Sequence, residues 1–137
     1  MTHILESFFK PKTIAVVGAS RNITKIGHAA LKNILISDYD CKVFPVNPNE
    51  KEILGLKCYK NINQIPVDLD LVSISVPAKL VPQILRDCVK KNVKNVIIIS
   101  SGFGEIGNQN LEDELKEIIK GTKMRVLGPN VMGYKNA

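Results

Sequence analysis

Thr13-Ile14-Ala15-Val16-Val17-Gly18-Ala19-Ser20 is the stretch on which the reading of this chain turns. Ile14 to Val17 is continuously apolar, as a strand must be when both faces of its sheet are covered. The run stops at Gly18 and Ser20, and an amphipathic segment begins near Lys25. A strand, a turn of small residues and a helix in that order aim the free N–H groups of the helix at the space above the strand end. That space favours a phosphate, so a nucleotide binder is implied.

The same alternation continues outward from this stretch. Gly27, Ala30, Leu31, Ile34 and Leu35 fall at i, i+3, i+4, i+7 and i+8, which predicts one buried face of a helix. Lys42 to Val46 reads as a second strand stopped by the turn Asn47-Pro48-Asn49. Gly55 to Asn63 reads as a minor strand or loop. Leu69 to Val76 is a third main strand closed by Pro77, and Val81, Ile84, Leu85, Cys88 and Val89 repeat the helical spacing. Pro82 fits that helix only in its first turn. Asn95 to Ser100 is a fourth strand, Leu111, Leu115, Ile118 and Ile119 mark another helix, and Gly121 stands where a C-terminal cap belongs. Lys123 to Leu127 is the last strand, ended by Gly128-Pro129-Asn130. Repeated βα units with right-handed crossovers predict an α/β fold, a doubly wound parallel sheet of the Rossmann type. Residues 1–137 read as one domain. Its binding rim is formed by the turns after the strands.

Composition narrows the classes of partner. A chain of 137 residues, 45% hydrophobic and 23% charged, buries enough surface for a core without metal or disulfide staples. No apolar run reaches the ~18 residues of a membrane span and the N-terminus lacks a signal-peptide layout, so a cytoplasmic setting is expected, with no membrane partner. Cys41, Cys58 and Cys88 are odd in number, form no Cys-x-x-Cys pair and lie far from His3 and His28. They read as buried or incidental thiols rather than a metal site. The net charge of +6 favours an anionic partner. The lysines are scattered apart from Lys90-Lys91, and only 5% of residues are aromatic, which argues against nucleic acid.

The turn departs from a dinucleotide fingerprint. After Gly18 the next glycine is Gly27, so the G-x-G-x-x-G spacing fails, and the second strand ends in Val46-Asn47-Pro48 where NAD binders carry an acid. Glu50 stands too far into the turn for that task. Arg21 and Lys25 beside a helix N-terminus suit several phosphate charges. Ser20 and Asn22 either donate to phosphate oxygens or cap the helix. Gly27 is expected to allow close helix–sheet packing, and His28, one position off the apolar stripe, is expected at the solvent edge. Paired carboxylates, a Ser–His–acid set and a metal cluster are all absent from the pattern, so no catalytic residue is assigned.

Phe8 to Ser20, Val43-Phe44-Pro45-Val46-Asn47-Pro48-Asn49, Ile53 to Tyr59, Val76-Pro77-Ala78, Ser100 to Glu105 and Gly128-Pro129-Asn130 together resemble the CoA-binding domain of NDP-forming acyl-CoA synthetases. The ADP-forming acetate–CoA ligases are the nearest branch of that family, and the α subunit of succinyl-CoA synthetase is more distant. The resemblance implies coenzyme A as the ligand. It implies that Gly18, Ala19, Ser20, Arg21, Asn22 and Lys25 cradle the CoA phosphates, and that Val46, Asn47, Pro48, Val76 and Pro77 enclose the adenosine. Ser100, Ser101, Gly102, Phe103 and Asn130 would then line the path of the pantetheine arm. Val131 stands where the family commonly has Cys, and Ser100-Ser101 replaces a Thr-Ala or Thr-Glu pair.

The same resemblance implies a division of labour. The phosphohistidine and the ATP-grasp domain would come from other domains or subunits, because neither His3 nor His28 stands where a phosphorylated histidine is expected. The chain is therefore expected to be the N-terminal domain of a longer synthetase. Two alternatives stay open: a stand-alone small CoA-binding protein, and an NAD(H)-responsive regulator. The last needs a DNA-reading segment, and only about twelve residues precede the first strand. The acyl substrate and the oligomeric state are left open.

Overall fold

The computed structural model describes residues 10–37, 40–99 and 109–128. β1 (Thr13–Val17) is the apolar run that opened the reading, and all of Ile14 to Val17 is buried. It leads through a turn into α1 (Ile26–Ile36), then β2 (Lys42–Val46). A small antiparallel hairpin follows, β3 (Glu52–Ile53) and β4 (Leu56–Lys57), then a 3₁₀ turn at Ile62–Gln64. β5 (Leu71–Ile74), a 3₁₀ turn at Ala78–Leu80, α2 (Val81–Lys90), β6 (Asn95–Ile98), α3 (Gln109–Ile119) and β7 (Arg125–Leu127) complete the described elements.

β2-β1-β5-β6-β7 form one sheet in which each neighbouring pair is parallel. Thr13 pairs with Lys42, Ile14 with Leu71, Leu71 with Asn95, and Asn95 with Arg125, so the strand ends stay level across the sheet. This is the doubly wound, Rossmann-like α/β arrangement that the alternation predicted. Counting main strands only, the order is 2-1-3-4-5, and the winding reverses between β1 and β5. At such a switch point the connections leave in opposite directions and open a crevice at the carboxyl ends of the strands.

The strand period of two divides the core between the two faces. Ile14 and Val16 pack with Leu31 of α1 on one face; Ala15, Val17, Val72, Ile74, Val96 and Ile98 pack with Leu85, Cys88 and Leu115 of α2 and α3 on the other. β2 is an edge of the main sheet and tolerates Pro45, which has no N–H to give. The Pro45 carbonyl instead accepts the Tyr59 N–H at 2.9 Å, and Val46 bridges Tyr59 in parallel. The Tyr59 ring meets Phe44 edge-on at 5.9 Å and lies under the Lys57 ammonium, which holds the hairpin against β2.

Several expectations change. The fourth main strand ends at Ile98 rather than Ser100, and the last begins at Arg125 rather than Lys123. The third strand is shorter than Leu69 to Val76, because Leu69 and Asp70 precede the ladder and Ser75 already turns toward the rim. Leu35 is 40% exposed, so the apolar stripe of α1 ends at Ile34. His28 is buried rather than at the solvent edge. Pro82 does lie in the first turn of α2, and Gly121 takes a left-handed φ of +81° beyond α3.

Candidate functional site

The site is built from the turns at the carboxyl ends of β1, β2 and β5, and its first requirement is that β1 and α1 come very close. Gly18 has φ +93°, and a Cβ there would lie 2.5 Å from the Ser75 carbonyl oxygen. A Cβ on Gly27 would lie 1.9 Å from the Gly18 carbonyl oxygen. Only glycine fits either position, and the pair lets the first turn of α1 rest directly on the strand end. The close-packing role expected of Gly27 is what the backbone shows.

The loop between them is fixed by its own polar groups. Ser20 Oγ accepts the Asn22 N–H at 3.0 Å, while Asn22 Oδ1 accepts from Thr24 N at 2.9 Å and Thr24 Oγ1 at 2.7 Å. These turns use up the side chains that could have capped the helix. Lys25 is the N-cap residue, in extended geometry, and no side chain caps α1. No acidic residue lies in its first turn either. The helix end thus keeps its partial positive charge for something outside the chain. The buried His28 imidazole braces the loop, with Nδ1 2.8 Å from the Ser20 carbonyl oxygen. Nδ1 therefore carries the proton in that contact.

Asn47 ties this loop to the end of β2. Its Nδ2 donates to the Ala19 carbonyl at 2.9 Å, its Oδ1 accepts the Asn49 N–H at 2.8 Å, and its backbone N–H donates to Tyr59 at 2.9 Å. Gly18 N donates to the Val46 carbonyl and Ser75 N to the Val17 carbonyl, so three strand ends share one hydrogen-bonded rim.

A cleft of about 920 Å³ opens above that rim. Its volume is that of a pocket for a sizeable organic ligand. Gly18, Ser20, Lys25, Val46, Asn47, Pro48, Val76 and Pro77, all singled out from the sequence, line it together. Ala19 is fully buried beneath and contributes its carbonyl to Asn47. Arg21 and Asn22 do not line it. Arg21 leans toward Glu50 at 3.8 Å over an adjoining polar depression, and Asn22 is spent on Thr24. Ser100, Ser101, Gly102, Phe103 and Asn130 lie outside the described residues.

Sequence reasoning missed part of the wall. Lys60, Asn61 and Ile62 follow the hairpin, Leu80 ends the 3₁₀ turn before α2, and Gln83, Ile84 and Asp87 come from α2 itself. Leu80 and the three α2 residues carry a signal that could have been read, since they recur at i, i+3, i+4 and i+7 beside the buried stripe. Ile99 reaches the cleft from beyond β6.

Electrostatically the cleft has Lys25 and Lys60 against Asp87. A polyanion fits this site at its α1 side, where an uncapped helix end, Ser20 and Lys25 meet. The remaining lining includes Val46, Ile62, Val76, Leu80 and Ile84, which suits an apolar ring. The ADP portion of CoA has both characters. None of the three thiols lines the cleft; Cys58 and Cys88 are buried, and burial raises all three cysteine pKa values, Cys88 to about 12. Among the described residues no group of three or more His, Cys, Asp or Glu could hold a metal, and no helix is long and apolar enough to cross a membrane.

Residues 12–137 match the family described as CoA binding domain. The chain is 44% identical over 126 residues to the ADP-forming acetate–CoA ligase of Methanocaldococcus jannaschii, covering 92% of this chain and 18% of that protein. It is 47% identical over 135 residues to the α subunit of ADP-forming acetate–CoA ligase I of Pyrococcus furiosus, covering 94% and 29%. Among solved structures it is similar to the apo form of dinucleotide forming acetyl-coenzyme A synthetase 1 of Ca. Korarchaeum cryptofilum, with a TM-score of 0.86, 46% identity, and coverage of 92% and 28%. The chain thus spans less than a third of each of these proteins. By its sequence over 126 residues and by its fold, the chain belongs to the CoA binding domain family.

Proposed function

We propose that this chain is the CoA-binding part of an ADP-forming acid–CoA ligase, working in the reversible reaction of acyl-CoA, ADP and phosphate to acid, CoA and ATP. The observation that carries the reading is the uncapped N-terminus of α1, seated on Gly18 and flanked by Ser20 and Lys25 at the floor of the cleft. Ser20, Lys25 and the first-turn N–H groups would hold the CoA diphosphate. Asn47, Pro48, Val76 and Pro77 would enclose its adenosine.

When bound, CoA supplies the thiol that exchanges the acyl group. The chain's own contribution is positional: a rigid glycine-packed floor holds one end of a long flexible molecule, which raises the local concentration of the other end. No proton-transfer or nucleophilic role falls to a described side chain. The phosphohistidine and the ATP-grasp domain would be supplied by further domains or by partner subunits, with this chain as the N-terminal domain. Relatives that are α subunits or parts of longer ligases support that reading. A cytoplasmic setting is part of the proposal.

Calorimetric titration of the full chain with CoA tests it. Binding is expected, weakened about tenfold or less by Lys25→Ala, the worth of one charge at a helix end. An absence of binding at millimolar CoA would overturn the proposal.

A further inference from the structure

A carboxylate in a cleft made for a polyanion needs a reason. Asp87 lines the cleft from the last turn of α2, where the negative end of the helix also disfavours an acid. Among the described residues it makes no ion pair; its Oδ1 accepts a hydrogen bond from Gln83 Nε2 at 3.2 Å. An exposed i,i+4 pair of this kind steadies a helix by only about 0.2–0.5 kcal/mol, and phosphate binding does not account for the carboxylate at all.

Its surroundings indicate a different kind of ligand atom. Leu80, Gln83, Ile84 and Asp87 form one stripe facing the cleft, and Leu80 leaves half of its surface uncovered there. α2 lies on the opposite face of the sheet from α1, so this stripe is separated from Lys25 and the helix end. Apolar surface next to an acceptor-only group fits a flat neutral ring carrying an N–H donor. It rejects an anion.

We propose that Asp87, held in place by Gln83, accepts a hydrogen bond from the exocyclic 6-amino group of the bound adenine, while Leu80 and Ile84 carry the ring. The chain then selects adenine over a 6-oxopurine, whose oxygen would face the carboxylate acceptor to acceptor. This assignment rests on the reading of the cleft as the CoA site.

The experiment compares the affinity of the full chain for CoA and for its hypoxanthine counterpart, made by deaminating the adenine. The wild-type chain should favour CoA by about tenfold or more, as expected of a charge-assisted hydrogen bond. Asp87→Asn should bring the two within about threefold, because a carboxamide offers both a donor and an acceptor. Gln83→Ala, which leaves the carboxylate in place but unheld, should lose part of the preference, and it serves should Asp87→Asn fail to fold. A wild-type ratio near one, or ratios unchanged in the variants, overturns the assignment of the base alone. A chain that binds neither ligand overturns the CoA reading together with it.

Discussion

Asn47 donates its side-chain amide to the Ala19 carbonyl oxygen at 2.9 Å, joining the turn after β2 to the turn after β1. The two residues are far apart in sequence, and this amide adds a side-chain tie to the Gly18 N–H bond that already joins the ends of β1 and β2. Asn47→Ala removes that bond and the bond to Asn49 N–H, and leaves the buried Ala19 carbonyl without its donor. The expected loss is about 1–2 kcal/mol of stability, with a several-fold weaker CoA affinity. Urea unfolding and calorimetry check the two separately; an unchanged affinity would show that the rims hold their spacing without it.

Gly27→Ala should be far more damaging than its one added methyl suggests. Its Cβ would stand 1.9 Å from the Gly18 carbonyl oxygen, a backbone atom that cannot rotate away. Either α1 lifts from β1 or the strand end moves. We expect a cost of at least about 1–3 kcal/mol, a melting temperature lower by on the order of 5–10 °C, and loss of CoA binding. Thermal unfolding followed by circular dichroism gives the first quantity.

His28 should be replaceable by a smaller donor but not by a hydrocarbon. Its Nδ1 lies 2.8 Å from the Ser20 carbonyl oxygen inside the packed base of the loop. Asn places an N–H near the same position, whereas Leu fills the space and strands the carbonyl. His28→Asn should keep CoA affinity within about threefold, and His28→Leu should weaken it by about tenfold. Equal effects would show that the ring serves by volume alone.

Alkaline pH should expose the burial of Cys88. Burial, with the nearby Asp87 charge adding to it, pushes this thiol from 9.0 to about 12. Below pH 9 both folded and unfolded chains keep the proton, and stability does not depend on this group. Between 9 and 12 the unfolded chain ionises first, so it binds fewer protons than the native one and stability falls as pH rises. The slope approaches about 1.4 kcal/mol per pH unit. Urea unfolding at about pH 8 and about pH 10 should show a smaller drop for Cys88→Ala than for the wild-type chain. Alkylation of native protein should also leave Cys88 unmodified while the half-buried Cys41 reacts.

How legible each part was depends on the range of the forces that fix it. Ile14 to Val17 could be read as a doubly covered strand because a continuous apolar run has few other homes. Gly27 could be read as a point of close approach because only glycine meets that need, whereas the approach of Gly18 to the Ser75 carbonyl appears only once β1 and β5 are paired. His28 was misplaced for a specific reason: on α1 the buried face is set by contact with β1 and the Ser20 loop, and a hydrogen bond to a carbonyl lets a polar ring share that face. Arg21 was grouped with the phosphate turn by sequence position; only the fold shows that Glu50 from the next turn stands 3.8 Å from its guanidinium.

Local pattern alone therefore determined the order of strands and helices, the parallel winding that follows from it, and the glycine turn beneath the helix end. These depend on backbone geometry and side-chain period within a few residues. Tertiary structure decided which distant side chains share the cleft, placing Lys60 and Asp87 at the same opening as Lys25. Periodicity says which way a residue faces on its own element. It is silent on what stands opposite until the sheet order and the reversal between β1 and β5 bring the elements together.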